Sequence, residues 1–318
     1  MNALVVGASG YAGRHALRAF EGARGVDPED DLEGAAEGVE IVAFCGPTWK
    51  PDHKPLRGAG PHPLLARSLG AAQAAGVRRF VHLSTATVFG PDHAGRIPED
   101  ARPRPAHAYE RLKLREEEWL RRHCGALELV VVRAAFGFGA YDPILERLLR
   151  QLRAGRLRLV NRGRARRGFL AGPDLGRALL AAALRGRPGA TYLAGGFDGS
   201  WHELLTMAAA VMGVPEKIAS IPYDLAYVAA GARWLRTRAG EECWPNPYAL
   251  DLLGKDHTYD DARSRRDLSW SPQIGSFDEG VVELVKWFRS QPHPLPLDAG
   301  ATSPRGGEVD AVTSPQGK

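Results

Sequence analysis

The chain has 318 residues, 44% hydrophobic and 25% charged; this excludes a wholly disordered or fibrous protein and is long enough for about two domains. The net charge is +5, carried by 35 arginines and only 7 lysines. No apolar run approaches the roughly 20 residues of a bilayer span, MNALVVGASG lacks the features of a secretory leader, and the distant Cys45, Cys124 and Cys243 form no CxxC, which argues against a disulfide framework or a metal site and predicts a reducing, cytoplasmic setting.

Residues 3–6 (ALVV), an apolar run closed by glycine, predict a buried parallel strand. GASGYAGRHALRAF then passes from a glycine loop into a helical pattern. DPEDDLEGAAEG predicts a helix with Asp27 as N-cap and Pro28 in its first turn. Strands are predicted at 39–45, 78–85 and 127–134, with helices at 63–76 and 108–123. This alternation predicts a Rossmann-like, doubly wound α/β fold with a parallel sheet covered on both faces. Beyond residue 140 the pattern is mixed, with helices at 143–154, 174–185, 202–212 and 278–289 and short strands at 157–160 and 190–194. Residues 292–318 are expected to form a disordered tail, since HPLPLDAGATSPRGGEVDAVTSPQGK holds no aromatic residue and little to bury.

Gly7, Gly10 and Gly13 follow the first strand and open a helix. Glycines there permit a tight turn and close approach to a pyrophosphate, and the helix N-terminus offers N–H groups to it. Tyr109 and Lys113 stand four residues apart on a predicted helix, hence on one face. A tyrosine with a pKa of about 10 is a poor base at neutral pH, and a neighbouring ammonium favours its phenolate. Ser84 and Thr85 end a strand of the parallel sheet, at the edge where ligand crevices open.

These segments together resemble the extended short-chain dehydrogenase/reductase family, which includes NAD-dependent epimerases/dehydratases and 3β-hydroxysteroid-dehydrogenase-like enzymes. The likeness rests on GASGYAG, FVHLSTATVFG, Tyr109-x-x-x-Lys113, VVVRAAFGFG (130–139), the Phe169 to Ala178 segment, and TYDDARSRRDLSWSP (258–272). It implies Thr85, Tyr109 and Lys113 as the catalytic residues. Gly7, Ser9, Gly10, Tyr11, Ala12 and Gly13, with Lys113, would bind NAD or NADP. Thr85 and Arg167 would contact a small-molecule substrate, a nucleotide sugar or a steroid-like alcohol or ketone. The expected organisation is an NAD(P)-binding domain over 1–165 and a substrate-binding region over 166–291 with a helix returning to the first domain. The resemblance also implies a homodimer, and gives no reason to expect a nucleic-acid partner.

The chain departs from the family in two places. Only residues 14–38 separate the glycine loop from the strand at 39–45, so a strand–helix unit is expected to be missing after the first helix. Asp27, Asp30 and Asp31 lie near the spacing of the acid that holds the adenosine ribose, but DPEDD reads as a helix start; without that acid cofactor affinity would fall. A non-catalytic binding protein on the same scaffold is therefore the alternative. Near residue 61, Pro-His-Pro stands where the family often has asparagine; His62 reads as a proton relay or an exposed loop residue. Two further stretches are open. Residues 147–167 carry nine arginines, and 203–235 is strongly apolar, either as core or as the wall of a site for a lipid-like substrate.

Overall fold

The computed structural model describes residues 2–46, 51–55, 60–91, 93 and 95–292. The expected tail therefore lies, beyond residue 292, outside the described residues. In chain order the first half runs β1 (Ala3–Val6), α1 (Tyr11–Ala19), β2 (Arg24–Val26), α2 (Leu32–Ala36), β3 (Ile41–Phe44), α3 (Pro63–Ala74), β4 (Arg79–Thr85), β5 (Ile97–Pro98), α4 (Ala108–His123) and β6 (Glu128–Ala134). The second half runs β7 (Phe136–Phe138), α5 (Pro143–Arg153), β8 (Arg158–Val160), β9 (Arg166–Ala171), α6 (Gly172–Arg185), β10 (Thr191–Ala194), β11 (Phe197–Ser200), α7 (Trp201–Met212), β12 (Ala219–Ile221), α8 (Tyr223–Arg236), α9 (Pro247–Gly254), β13 (Tyr259–Asp260), α10 (Ala262–Leu268) and α11 (Val281–Ser290).

Six strands form one parallel sheet in the order β10-β6-β4-β3-β1-β2. Its strands are near-continuous apolar runs because both faces are covered. Ala3 and Val5 of β1 face a core shared with α1 and α6. Leu4 and Val6 face the opposite core, against α2, α3 and Leu120 of α4. That alternation is the two-residue period of a strand. The chain steps from β1 outward to β2, then crosses to β3 on the other side of β1. This reversal leaves a crevice at the carboxyl ends of β1 and β3, the place where doubly wound sheets take ligands.

The second strand, expected to be absent, is present as β2 in Gly-Val after Arg24. Its three residues carry too short an apolar pattern to stand out in a sequence. What is short is the link from β2 to β3, a single five-residue helix, so β2 is the sheet edge. Asp27 is not the cap of that helix. It follows β2 directly, and the N-cap of α2 is Asp31, whose side chain accepts from the Gly34 N–H at 3.1 Å.

A second core lies outside the sheet, where α5, α7 and α11 surround Phe138, Phe169 and Trp201. It rests on the three-stranded sheet β11-β9-β7. The return from this region to the parallel sheet consists of a helix and a strand, α6 and β10. Among the described residues, no helix is long and apolar enough to cross a membrane.

The cap assignment has a direct consequence. Asp31→Ala lowers stability by about 1 kcal/mol in urea denaturation, the usual cost of a lost N-cap; an unchanged stability would contradict the cap at Asp31.

Candidate active site

The glycine loop is shaped by contacts that leave no room for side chains. Gly7 has φ +82°, and a Cβ there would lie 2.3 Å from Gly46 Cα; a Cβ on Gly13 would lie 1.9 Å from Gly7 O. Gly7 N–H and Ala8 N–H both donate to Val26 O, at 2.7 and 3.1 Å. The loop is thereby tied to the end of β2. One residue further, the Asp27 carboxylate accepts from the Ser9 N–H at 3.1 Å and from Ser9 Oγ at 3.0 Å. Helix α1 begins at Gly10 with no side-chain cap, so its first turn presents bare N–H groups, as a pyrophosphate requires. Gly7, Ser9, Gly10, Tyr11, Ala12 and Asp27 line one cleft of about 640 Å³. Gly13 does not line it; it lets α1 close against the loop. Tyr11 is an anchor as well as a lining residue, since its hydroxyl donates to Phe138 O at 3.2 Å. Burial holds that phenol well above its ordinary pKa.

The opposite wall comes from β4 and α4. Successive residues at the end of β4 point to opposite sides. Ser84 Oγ donates to Glu117 Oε1 at 2.6 Å, and Arg133 grips the same carboxylate at 3.0 and 2.8 Å. Arg133 and Ser84 together hold Glu117 below the usual carboxylate pKa despite its burial. Ser84 is thus committed to the scaffold. Thr85 lines the cleft; its Oγ1 accepts from Thr87 N–H at 3.2 Å and lies 3.0 Å from Thr87 Oγ1. Thr87 in turn hydrogen-bonds Tyr248, whose phenol burial pushes well above its ordinary value.

Helix α4 starts at His107 with a capping box, the Glu110 carboxylate accepting from the His107 N–H at 3.0 Å. Tyr109 and Lys113, one turn apart, both line the cleft. The Tyr109 ring packs 5.2 Å from the Tyr248 ring. Lys113 is 1% exposed, and its ammonium donates to Leu83 O at 3.1 Å and to Glu116 Oε2 at 3.0 Å. Glu116 is fully buried and also accepts from the His62 N–H at 3.2 Å. His62 is therefore neither a relay into the cleft nor an exposed loop residue. It is half-buried and caps α3, Nδ1 accepting from the Leu64 N–H at 3.3 Å, and desolvation lowers its pKa.

The structure thus brings the glycine loop, Thr85, Tyr109 and Lys113 to one cleft. Arg167 stands apart from this group. It is 1% exposed, with its guanidinium 5.6 and 5.7 Å from the Phe136 and Trp201 rings and Nη2 3.4 Å from His257 Nδ1. Its Nε and Nη1 have no partner, and burial lowers its pKa. Phe136 lines the cleft and Arg167 does not.

Four site residues escape a sequence reading. Asp27 stood near the spacing of a ribose acid, but the Asp-Pro signal reads as a helix cap. Glu116 sits in a run of three glutamates that reads as a solvated face. Tyr248 lies 139 positions from Tyr109 with no motif to join them. Asp142, the N-cap of α5, lines the cleft while accepting from the Ile144 and Leu145 N–H groups at 3.0 and 2.9 Å. Burial pushes its carboxyl up to about 7. Cys45 also lines the cleft, and burial raises its thiol to about 12, so it is no nucleophile at neutral pH.

Residues 64–195 match a family model described as the NAD dependent epimerase/dehydratase family. A 4-hydroxy-2-methyl-3-oxo-4-farnesyl-3,4-dihydroquinoline-1-oxide ketoreductase of Stigmatella aurantiaca is 28% identical over 222 residues, 65% of this chain and 64% of the relative. A dTDP-glucose 4,6-dehydratase of Streptomyces niveus is 27% identical over 231 residues, 70% of this chain and 60% of the relative. The chain thus spans less than two thirds of the length of these relatives. The solved structure of UDP-glucuronic acid 4-epimerase from Bacillus cereus in complex with NAD superposes with a TM-score of 0.69 at 18% identity, covering 91% of this chain and 99% of the epimerase. That likeness is one of fold.

The raised Asp142 carboxyl makes a prediction about stability. Its unfolded pKa is about 3.9, so between about 4 and about 7 the folded state keeps a proton that the unfolded chain releases. Stability therefore falls as pH rises through that window. Asp142→Asn keeps the cap and removes the titration, so its gain in urea stability is larger at pH 8 than at pH 5; equal effects at both pH values would contradict the burial argument.

Proposed function

We propose that this chain, whose residues 64–195 match the NAD dependent epimerase/dehydratase family model, is an NAD(P)-dependent oxidoreductase of the extended short-chain type, acting on a secondary alcohol or ketone. The observation that carries the reading is the convergence of Thr85, Tyr109 and Lys113 on the cleft that begins at the glycine loop. The fit to the cofactor rests on that loop, whose positions 7 and 13 exclude a Cβ, and on the uncapped start of α1. The nicotinamide, when bound, supplies hydride acceptance and donation.

The chain's own residues do the rest. Tyr109 moves the proton of the substrate oxygen, as general base in one direction and general acid in the other. Thr85 Oγ1 shares that oxygen and orients it. Lys113, held by Leu83 O and Glu116, would hold the ribose and favour the phenolate form of Tyr109. Asp27, directly after β2, would accept from a ribose 2′-hydroxyl and repel a 2′-phosphate, which would favour NAD over NADP.

The substrate reading is a small ketone or alcohol. Beyond Tyr109 a compartment of about 260 Å³ combines Pro51, Trp234, Pro247 and Tyr248 with the polar His53, Arg111 and Asn246. Arg167, a candidate contact for a sugar diphosphate, is buried beside Phe136 and does not line the cleft. The alternative of a non-catalytic protein on this scaffold is separated by one variant. Tyr109→Phe lowers turnover of a ketone panel by about 10²–10⁴ while thermal stability and NADH fluorescence titration stay at wild-type values. Turnover that persists undiminished would remove Tyr109 from the proton-transfer role.

A further inference from the structure

Helix α8 carries an apolar stripe on its outside. Leu225, Val228, Ala232 and Leu235 recur at i, i+3, i+7 and i+10, one face of a helix. Leu225 is 66%, Val228 70% and Leu235 81% exposed, and Ala229 beside them is exposed too. The opposite face makes the fold contacts, where Tyr223, Ala226, Tyr227 and Ala230 pack against Val160 and Leu250. The helix therefore has two apolar sides and the fold uses only one. An exposed stripe of large aliphatic side chains marks an interaction surface.

The charges around the stripe identify its partner. Arg236 is exposed at the end of the helix on the same side as Leu225. At the other end, β12 feeds α8 from an open groove of about 760 Å³ that Arg156, Arg158, Arg162 and Lys217 line. Within this groove Arg162 has φ +56°, a conformation costly for a long side chain. None of these five cations makes an ion pair with a described residue. Carboxylates in these segments are Glu216, which lines the groove, Asp224 in the first turn of α8, and Glu241 and Glu242 after its end. An anionic bilayer surface takes the aliphatic side chains into its acyl boundary and the arginines at its headgroups.

We propose that α8, with the basic groove at its N-terminal end, docks on an anionic lipid surface. Trp234, on the inner side of the same helix, lines the compartment next to Tyr109, so docking sets that compartment beside the bilayer. The docking surface is separate from the oxidoreductase reading and stands without it.

The test is vesicle flotation of the full chain, with light scattering on the same samples. Vesicles of phosphatidylcholine containing roughly 30% phosphatidylglycerol should carry the protein, and pure phosphatidylcholine should carry about tenfold less. The variant Leu225→Glu/Val228→Glu/Leu235→Glu should lose about tenfold or more on anionic vesicles. Because these positions are exposed, its circular dichroism and thermal unfolding should match wild type; the single Leu235→Ser should show an intermediate loss. Arg156→Ala/Arg158→Ala/Arg162→Ala should weaken flotation in the same direction. Equal flotation of wild type and the triple-glutamate variant, or no flotation of wild type, would overturn the proposal. So would a wild-type dimer that the triple-glutamate variant converts to monomer, since the stripe would then be a contact between copies.

Discussion

The Lys113 ammonium is buried, and an unpaired buried cation costs several kcal/mol. It is answered by two acceptors on different parts of the chain, Leu83 O at the end of β4 and Glu116 one turn along α4. That requirement fixes how α4 lies on the sheet. With α4 in this register, Tyr109 comes to the mouth of the same cleft as Thr85, two residues beyond Leu83. The next residue, Glu117, answers the same demand for Arg133 and ties α4 to β6 and to Ser84. Two adjacent buried glutamates thus lock one helix to two strands. The pairing also has an electrostatic consequence. Lys113 with Glu116 is a neutral pair, so its influence on Tyr109 depends on the ammonium lying nearer than the carboxylate.

Across the cleft, the constraint is topological. The order of connection reverses at β1, with β2 on one side and β3 on the other, and a side chain at Gly7 would collide with Gly46 after β3. The tie from Gly7 and Ala8 to Val26 O makes β2 part of this wall, and Asp27 extends it. The glycine loop and Asp27 are therefore one unit. Among the described residues the sheet stops at β2, and the short α2 links it to β3.

The long, fully apolar strands β1, β3, β4 and β6 were legible in the sequence because burial on both faces leaves an uninterrupted run. The helices at 63–76 and 108–123 were legible from their period. The three-residue β2 was not, because Arg-Gly-Val carries no strand pattern and its pairing comes from β1. The same blindness turned Asp27 into a cap, since Asp-Pro is a helix-start signal whatever lies before it. In the site, Tyr109 and Lys113 stood out by spacing, and Thr85 by its place at the end of a strand and by the resemblance. Glu116 and Glu117 looked solvated, because their cationic and hydroxyl partners lie on other elements or in the helix interior. The apolar stretch at 203–235 divides in the structure. Its first part, α7, is core, whereas α8 turns an aliphatic stripe outward, a distinction that composition does not contain.

The central claim is that the β1–β3 crevice, closed by the glycine loop and Asp27, holds NAD. Isothermal titration calorimetry of the purified chain with NAD⁺ and with NADP⁺ tests it most directly. Saturable, single-site binding of NAD⁺ is expected, at least about tenfold tighter than NADP⁺, a difference of about 1.4 kcal/mol. Tighter binding of NADP⁺, or no binding of either nucleotide, would contradict it.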